Sequence, residues 1–286
     1  MFTGTCDLYG NSHIETFDGL TYQMNGKGSY VLSKHCHSTI SESSYEIRLN
    51  QKSPLACSTS ESKCDKEIEI LIGGKLAATL RMKPLLTIDG KEKRFYVDTI
   101  HGWRTGVFAG ENIYFSSKKA GIYVLWNNRN ELKIIADSSL FKQTCGLCGT
   151  FDNDITNDFH THDEDTELSA RSFVSQWSLK SSAYPEGMWD EENYCDVHFN
   201  RKNDAEKSCK KLKEDPKFAR CHKLVSPQKY FDLCMSDTCS SKEYYLQILR
   251  VYLRKCADKG TPFDPQLYFA EDLKRSQGKC CCFLFF

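Results

Sequence analysis

Cysteine recurs along this chain from Cys6 to Cys282, fifteen times in 286 residues, and that frequency limits what the chain can become. A reduced cytosolic protein of this size does not carry so many unless they bind zinc. Zinc sites want paired CxxC or CxxC with HxxxH clusters. Only one true CxxC is present, Cys145-Gly-Leu-Cys148. The cysteines are therefore expected to form disulfides in an oxidising, secreted and extracellular setting. The first residues, Met1-Phe-Thr-Gly-Thr-Cys6, have neither a basic region nor an apolar core of signal-peptide type. A disulfide-rich chain without a signal sequence is expected to be a fragment of a larger secreted protein. No apolar stretch is long enough to span a bilayer, and no Asn-x-Ser/Thr sequon occurs. Lys and Arg number 38, as do Asp and Glu. That balance gives nucleic acid and acidic membranes no electrostatic support as partners.

Residues 6 to about 178 read as all-β. Ile68–Ile72, Gly73-Gly74 and Lys75–Leu80 form a hairpin pattern, and so do Leu85–Ile88, Asp89-Gly90 and Lys91–Val97. Ile122–Trp126 and Glu131–Ala136 flank Asn127–Asn130 as a third. Serial hairpins imply an antiparallel β-sandwich. After Trp177 the chain turns polar, with Pro185 and Gly187, and residues 179–193 read as a linker. From Tyr194 to about Cys256 the pattern is helical. Ser240-Ser-Lys-Glu243 is a capping-box pattern ahead of a run that places Tyr245, Leu249, Tyr252 and Cys256 on one face.

Two stretches carry a stronger signal. One is Gly10-Asn-Ser-His13-Ile-Glu-Thr16-Phe17-Asp18-Gly19-Leu-Thr-Tyr22. The other is Cys145-Gly-Leu-Cys148-Gly-Thr-Phe-Asp-Asn-Asp-Ile-Thr-Asn157-Asp158-Phe159. Together they resemble the opening and closing signatures of a von Willebrand factor type D (VWD) domain, here residues 6–178. Cysteines 195, 209, 221, 234, 239 and 256, with Cys221-His-Lys-Leu-Val-Ser-Pro227, resemble the C8 module, here residues 194–257. Such pairs occur in von Willebrand factor, gel-forming mucins, otogelin, SCO-spondin and zonadhesin-like proteins. The tail, 258–286, ends in Cys280-Cys-Cys-Phe-Leu-Phe-Phe286 and fits nothing. A truncated or mis-spliced end is the favoured reading, and a real tail forming intermolecular disulfides is the alternative.

Spacing alone leaves cysteine connectivity open. The resemblance implies Cys6–Cys148, Cys36–Cys145 and Cys57–Cys64, then Cys195–Cys239, Cys209–Cys234 and Cys221–Cys256. In a chain-entropy picture each of the first two bridges contributes on the order of 4–5 kcal/mol. A further cysteine usual in the family is replaced by Gly28, and its usual partner, near Ser181–Tyr184, is missing as well. The C8 stretch lacks the extra cysteines that multimer-forming relatives carry between Cys239 and Cys256. That argues against covalent multimerisation through this module.

Calcium wants six to eight hard oxygens. The resemblance assigns it to the side chains of Asp18, Asp152, Asn157 and Asp158, the backbone carbonyl of Asp154 and the hydroxyl of Thr150. The family often has Asn at the position of Thr150, which makes this the weakest ligand. The competing reading is a polar turn, since Asp and Asn favour turns anyway. The expected role of the ion is structural.

Catalytic readings are weaker. CGLC resembles a thiol-exchange motif, but the acidic strip after it would raise a thiol pKa. His160-Thr-His162-Asp163 has no further clustered ligands, and His13 is expected to be packed. Glu42, Glu61, Asp163, Glu164 and Asp165 sit in polar stretches and are expected to be solvated. The leading expectation is a non-enzymatic segment of a secreted multidomain glycoprotein. Its work would be adhesion, matrix or mucus scaffolding and assembly with extracellular proteins or other modules of the same polypeptide. The alternatives are an extracellular growth-factor-binding regulator and thiol–disulfide exchange through CGLC. Yolk lipoproteins also carry VWD domains, but with a large lipid-binding region that this chain lacks.

Overall fold

The computed structural model describes residues 2–10, 12–24, 28–36, 40–51, 66–81, 85–108, 112–127, 131–161, 165–179, 195, 199–240 and 244–261. The chain divides into two compact units, Met1–Glu192 and Asn193–Phe286. The Cys57–Cys64 bridge, His162, most of the 179–193 linker and the Cys280–Phe286 tail lie outside the described residues.

The first unit is built from two antiparallel sheets. One runs, edge to edge, β10 (Phe95–Asp98), β11 (Trp103–Phe108), β12 (Asn112–Ser117), β13 (Ile122–Asn127), β14 (Leu132–Asp137), β1 (Thr3–Tyr9), β2 (His13–Glu15) and β3 (Thr21–Gln23). The other runs β15 (Thr144–Cys145), β4 (Gly28–His35), β5 (Tyr45–Gln51), β6 (Lys66–Ile72), β7 (Lys75–Arg81), β8 (Leu85–Ile88) and β9 (Lys91–Lys93). The hairpin turns have the chemistry their sequences demand. Gly73 and Gly74 take φ of 57° and 75°, and Asp89 and Gly90 take 48° and 70°. Positive φ at both turn residues matches the twist of the flanking strands.

Burial alternates residue by residue along β5, β12, β13 and β14, as expected of strands with one face inward. Ile47, Leu49, Phe115, Val124, Trp126 and Ile134 point into one core shared by both sheets. Each such side chain contributes about 1.5–3 kcal/mol by leaving water. The all-β expectation for residues 6–178 has an exception. Helix α1 (Ala170–Gln176) starts where the Ser169 hydroxyl accepts the Ser172 amide, and it buries Phe173 and Val174 in the same core. Leu179, the first residue of the expected linker, still donates to the Ser29 carbonyl.

One irregularity positions everything near the CxxC. The pairing of β4 with β5 shifts register between Val31 and Ser33. The carbonyls of Val31 and Leu32 there accept the amides of Leu147 and Cys148, at 3.0 and 2.8 Å. The CGLC segment thus continues along β4 beyond β15. Gly146 sits against this bulge at φ 118°, where a Cβ would lie 2.7 Å from the Leu32 carbonyl oxygen. No side chain fits there.

The second unit is helical: α2 (Phe199–Cys209), α3 (Lys211–Glu214), α4 (Ala219–His222), α5 (Pro227–Ser240) and α6 (Tyr244–Asp258). Three bridges staple it, Cys195–Cys239, Cys209–Cys234 and Cys221–Cys256. Tyr252 packs on Tyr230 and Phe218, at ring separations of 5.0 and 5.8 Å. The inward face of α6 is broader than the sequence periodicity suggested. Tyr244, Gln247, Ile248 and Val251 are buried with Leu249, Tyr252 and Cys256. Tyr245 is only half-buried, with the Lys211 ammonium 6.0 Å from its ring centroid. No helix among the described residues is long and apolar enough to cross a membrane.

Lys66 opens β6 as a buried cation, 6% exposed, donating to Ser12 Oγ at 3.1 Å. Burial disfavours its charged form and pulls its pKa down from 10.5 to about 8. Below pH 8 both folded and unfolded chains carry the proton, so the folded state bears the full desolvation cost. Between about pH 8 and pH 10.5 the unfolded chain holds more protons, and stability rises with pH. Lys66→Met is expected to raise unfolding free energy at pH 7 by about 1–3 kcal/mol. That gain should shrink as pH rises through the same window. Urea titrations at pH 7 and pH 9.5 measure both; a loss of stability at pH 7 would mean that the Ser12 contact outweighs the burial cost.

Candidate metal centre

Two segments far apart in sequence meet at the acidic strip. The Cys6–Cys148 bridge joins β1 to the end of the CGLC segment, and Cys36–Cys145 joins the end of β4 to its start. The Phe17 amide then donates to the Cys148 carbonyl at 3.0 Å. This brings the Thr16–Leu20 turn alongside residues 150–158. The turn is closed locally: the Thr16 amide donates to the Leu20 carbonyl, and the Leu20 amide returns to Thr16 Oγ1, both at 2.9 Å.

The strip is anchored at both ends by aromatic rings. Phe151 is buried beside Phe17 and Phe141, at 5.9 and 5.5 Å. Phe159 stacks on Phe173 at 4.7 Å and meets Tyr22 edge-on at 5.2 Å. Between these anchors the backbone follows Asx geometry. Asp154 Oδ1 accepts the Thr156 amide and caps the 3₁₀ turn Ile155–Asn157. Asp152 Oδ1 accepts the Asp154 amide at 3.0 Å. Asn153 takes φ of 68°, a left-handed conformation that Asn tolerates better than most residues.

Asp18 reaches in from the other segment. Its Oδ2 accepts the amides of Asp152 and Asp154, each at 3.1 Å. Burial raises its pKa, aided by the Asp152 carboxyl and opposed by the amides of Asp152, Asn153 and Asp154. Asp152 Oδ2 is held by the Asn157 side-chain amide at 3.0 Å. Asp158 lies deepest, 1% exposed, with the Thr16 hydroxyl on Oδ2 at 2.6 Å. Burial pushes its pKa up to about 7, with further upward pressure from the charges of Asp18 and Asp152. The Thr16 hydroxyl and the Thr150 amide pull the other way. Asp158 Oδ1 is buried without a hydrogen-bond partner, as is Asn157 Oδ1.

Asp152, Asp154, Asn157 and Asp158 thus fall on one strip, with Thr150 at its start and Asp18 held against it from the other segment. Asp154 is the outlier: its side chain is exposed and committed to Thr156, and its backbone carbonyl accepts the Asn157 amide at 3.3 Å. Among the described residues no three His, Cys, Asp or Glu side chains converge on one point as a finished metal cage. The donor chemistry nonetheless suits a hard cation. It consists of carboxylate, amide and hydroxyl oxygens, two of them buried acceptors without a hydrogen-bond partner. Elsewhere, His13 is buried against Tyr9 at a ring separation of 6.0 Å. Glu42 is exposed and pairs with Lys119 at 2.7 Å.

Two residues essential to this geometry lie outside the expected ligand set. Thr16 holds Asp158 across 142 positions of sequence. Gly149, at φ 71°, packs so closely that a Cβ there would fall on Asp158 Oδ1. Both sit within the quoted signatures, but nothing local reveals their shared partner.

Gly149→Ala is expected to cost about 2–4 kcal/mol, combining a strained φ with displacement of a buried carboxylate. Gly90 has a nearly identical φ of 70°, and a Cβ added there would meet nothing within 4 Å. Gly90→Ala therefore isolates the backbone cost, at about 1 kcal/mol. Equal losses in denaturant titrations would show that Asp158 does not hold Gly149 in place.

The sequence is also similar to known proteins. The sequence profile of the von Willebrand factor type D domain matches residues 6–165, and that of the C8 domain matches residues 208–266. The chain is 30% identical to Mucin-2 of Rattus norvegicus over 260 residues, covering 88% of this chain and 16% of the relative. It is 30% identical to Mucin-2 of Homo sapiens over 263 residues, covering 90% and 5%. To Mucin-5B of Gallus gallus it is 27% identical over 265 residues, covering 90% and 12%. The chain therefore spans less than a fifth of each of these relatives. With its disulfides and extracellular kin, it is a protein of the secreted, oxidising compartment. The chain belongs to the von Willebrand factor type D domain family and carries a C8 domain after it.

Proposed function

We propose that the chain is a non-catalytic VWD–C8 segment of a larger secreted glycoprotein. It works in adhesion, in matrix or mucus scaffolding and in protein assembly, and one structural calcium ion stiffens its acidic strip. The observation that carries the calcium reading is the pair of buried, partnerless acceptors, Asp158 Oδ1 and Asn157 Oδ1, beside the carboxylates of Asp18 and Asp152. Asp18, Asp152, Asn157 and Asp158 would hold the ion by side chain, Asp154 by its carbonyl and Thr150 by its hydroxyl. The ion supplies positive charge where buried carboxylates repel one another. Thr16 keeps one oxygen of Asp158 fixed, and the Asp18 contacts with the strip hold the two segments in register.

The scaffold reading rests on the family and on the cysteines. Cys145 and Cys148 are both engaged in bridges to other parts of the unit, which supports half-cystines with a structural role over thiol exchange. All six cysteines from Cys195 to Cys256 pair with one another. That supports contacts with partner modules made through surfaces, without intermolecular disulfides from this stretch.

Thermal melting of the oxidised chain with calcium and with EDTA tests the proposal. At a calcium concentration about 100-fold above Kd, a ligand bound only to the folded state adds about 2.7 kcal/mol. For a unit of this size that is about 5–10 °C in Tm. Asp152→Ala or Asp158→Ala should abolish the response. An unchanged melting temperature at millimolar calcium would reduce the strip to a polar turn and leave the domain resting on its bridges.

A further inference from the structure

The balanced charge of the whole chain conceals a division. Up to residue 192, Lys and Arg number 20 against 26 Asp and Glu; from residue 193 onward they number 18 against 12. The basic surplus is concentrated in one stretch of the second unit. Lys207, Lys210, Lys211, Lys213, Lys217, Arg220 and Lys223 all fall within seventeen residues and are all exposed. Only Glu214 and Asp215 oppose them within that stretch. Glu206, just before it, pairs with Lys210 at 2.7 Å, with both side chains well solvated, so it neutralises little in energetic terms.

The stretch is a fixed ridge. It runs from the end of α2 through α3, the 3₁₀ turn Pro216–Phe218 and α4. Cys209–Cys234 clamps one end and Cys221–Cys256 the other. Two ammonium groups are further positioned: Lys213 donates to Gln228 Oε1 at 2.8 Å and lies 4.8 Å from the Phe231 ring, and Lys211 lies over Tyr245. The larger apolar side chains of the ridge, Leu212 and Phe218, are turned into the core. Its outer face is therefore a row of cations with no apolar centre.

That anatomy selects the kind of partner. A stable protein interface buries an apolar or aromatic core that carries most of the affinity, and the ridge offers none. A polyanion needs none: its affinity comes from neutralising a row of charges and releasing their counter-ions. Lysine, a compact point charge without a planar fork, suits scattered anionic groups on a flexible polymer. In an extracellular, oxidising compartment the polymer of that description is an anionic polysaccharide. We propose that the Lys207–Lys223 ridge is a binding surface for sulfated polysaccharide. The proposal is independent of calcium and of the scaffold role, because neither is needed for the ridge to carry its charge.

The test is affinity of the full oxidised chain for immobilised heparin across a salt series, with EDTA present. The wild-type chain should be retained at low salt, with affinity falling steeply as salt rises. Lys207→Gln/Lys211→Gln/Lys223→Gln should weaken binding on the order of ten-fold or more. Lys91→Gln/Lys93→Gln/Lys118→Gln removes the same charge from exposed positions of the first unit and should change binding by less than about two-fold. Protection of Lys207, Lys211 and Lys223 from acetylation by heparin, read by mass spectrometry on the wild-type chain, gives the same answer without any variant. Failure to bind at low salt, equal losses in the two triple variants or absence of protection would overturn the proposal. Equal affinity for hyaluronan or for a DNA oligonucleotide would overturn the sulfate assignment. Self-association that the ridge substitutions abolish, without heparin binding, would replace the polysaccharide with a second copy's acidic surface.

Discussion

The cross-link between Cys6 and Cys148 is the constraint on which the first unit's organisation depends. It holds β1, central in one sheet, against the segment that hydrogen-bonds along the β4 bulge of the other. The two bridges are not independent contributors. Once Cys6–Cys148 exists, closing Cys36–Cys145 makes a ring of only about thirty-three residues, thirty from Cys6 to Cys36 and three from Cys145 to Cys148. The chain-entropy model then assigns the second closure about 4 kcal/mol, against about 5 for the first. The second bridge chiefly orients the CGLC segment, so that Cys148 points towards one sheet and Cys145 stays with the other.

That orientation is what makes a buried carboxylate tolerable. An unpaired acid in a core ordinarily takes up a proton to avoid the cost of desolvation. Asp158 is nearly fully buried, and its surroundings add to that pressure, since Asp18 and Asp152 also bear on it. The Thr16 hydroxyl, with the Thr150 amide, offsets part of the cost. Local hydrogen bonds account for Asp154 and for most of Asp152. They do not account for Asp158, whose second oxygen is left without a partner.

Much of the fold was legible in the sequence because its signals are local. Gly73-Gly74 and Asp89-Gly90 announce turns that need positive φ, and the alternation along β12 to β14 sets which face is buried. The insertion of β1 between β14 and β2 was not legible, because it joins positions about 130 residues apart. The roles of Thr16 and Gly149 were hidden for the same reason: each is defined by Asp158, which only the folded chain brings near. Helix α6 shows a different failure. Spacing by fours and threes selected Tyr245, yet the three bridges and the Tyr230–Tyr252 contact rotate Tyr244 inward and leave Tyr245 at the rim. Charge was misread on a larger scale, since a sum of zero over both units hid an acidic first unit and a basic second one.

The anchoring of the acidic strip limits what any ligand there can do. Phe151 and Phe159 are held in aromatic clusters that include Phe17, Phe141, Tyr22 and Phe173, so both ends of the strip are set by the core. A cation bound between them would act on residues 152–158 and on the turn that carries Asp18, leaving the sheets in place. Its effect on stability would come from quenching repulsion among carboxylates already held together. The bridges and the core assemble the site, and the ion would relieve a cost that the assembly itself creates. Disulfide pairing is thereby upstream of metal affinity, because a chain lacking both Cys6–Cys148 and Cys36–Cys145 would bring Asp18 and Asp158 together only at the full entropic cost of closing a loop of more than a hundred residues.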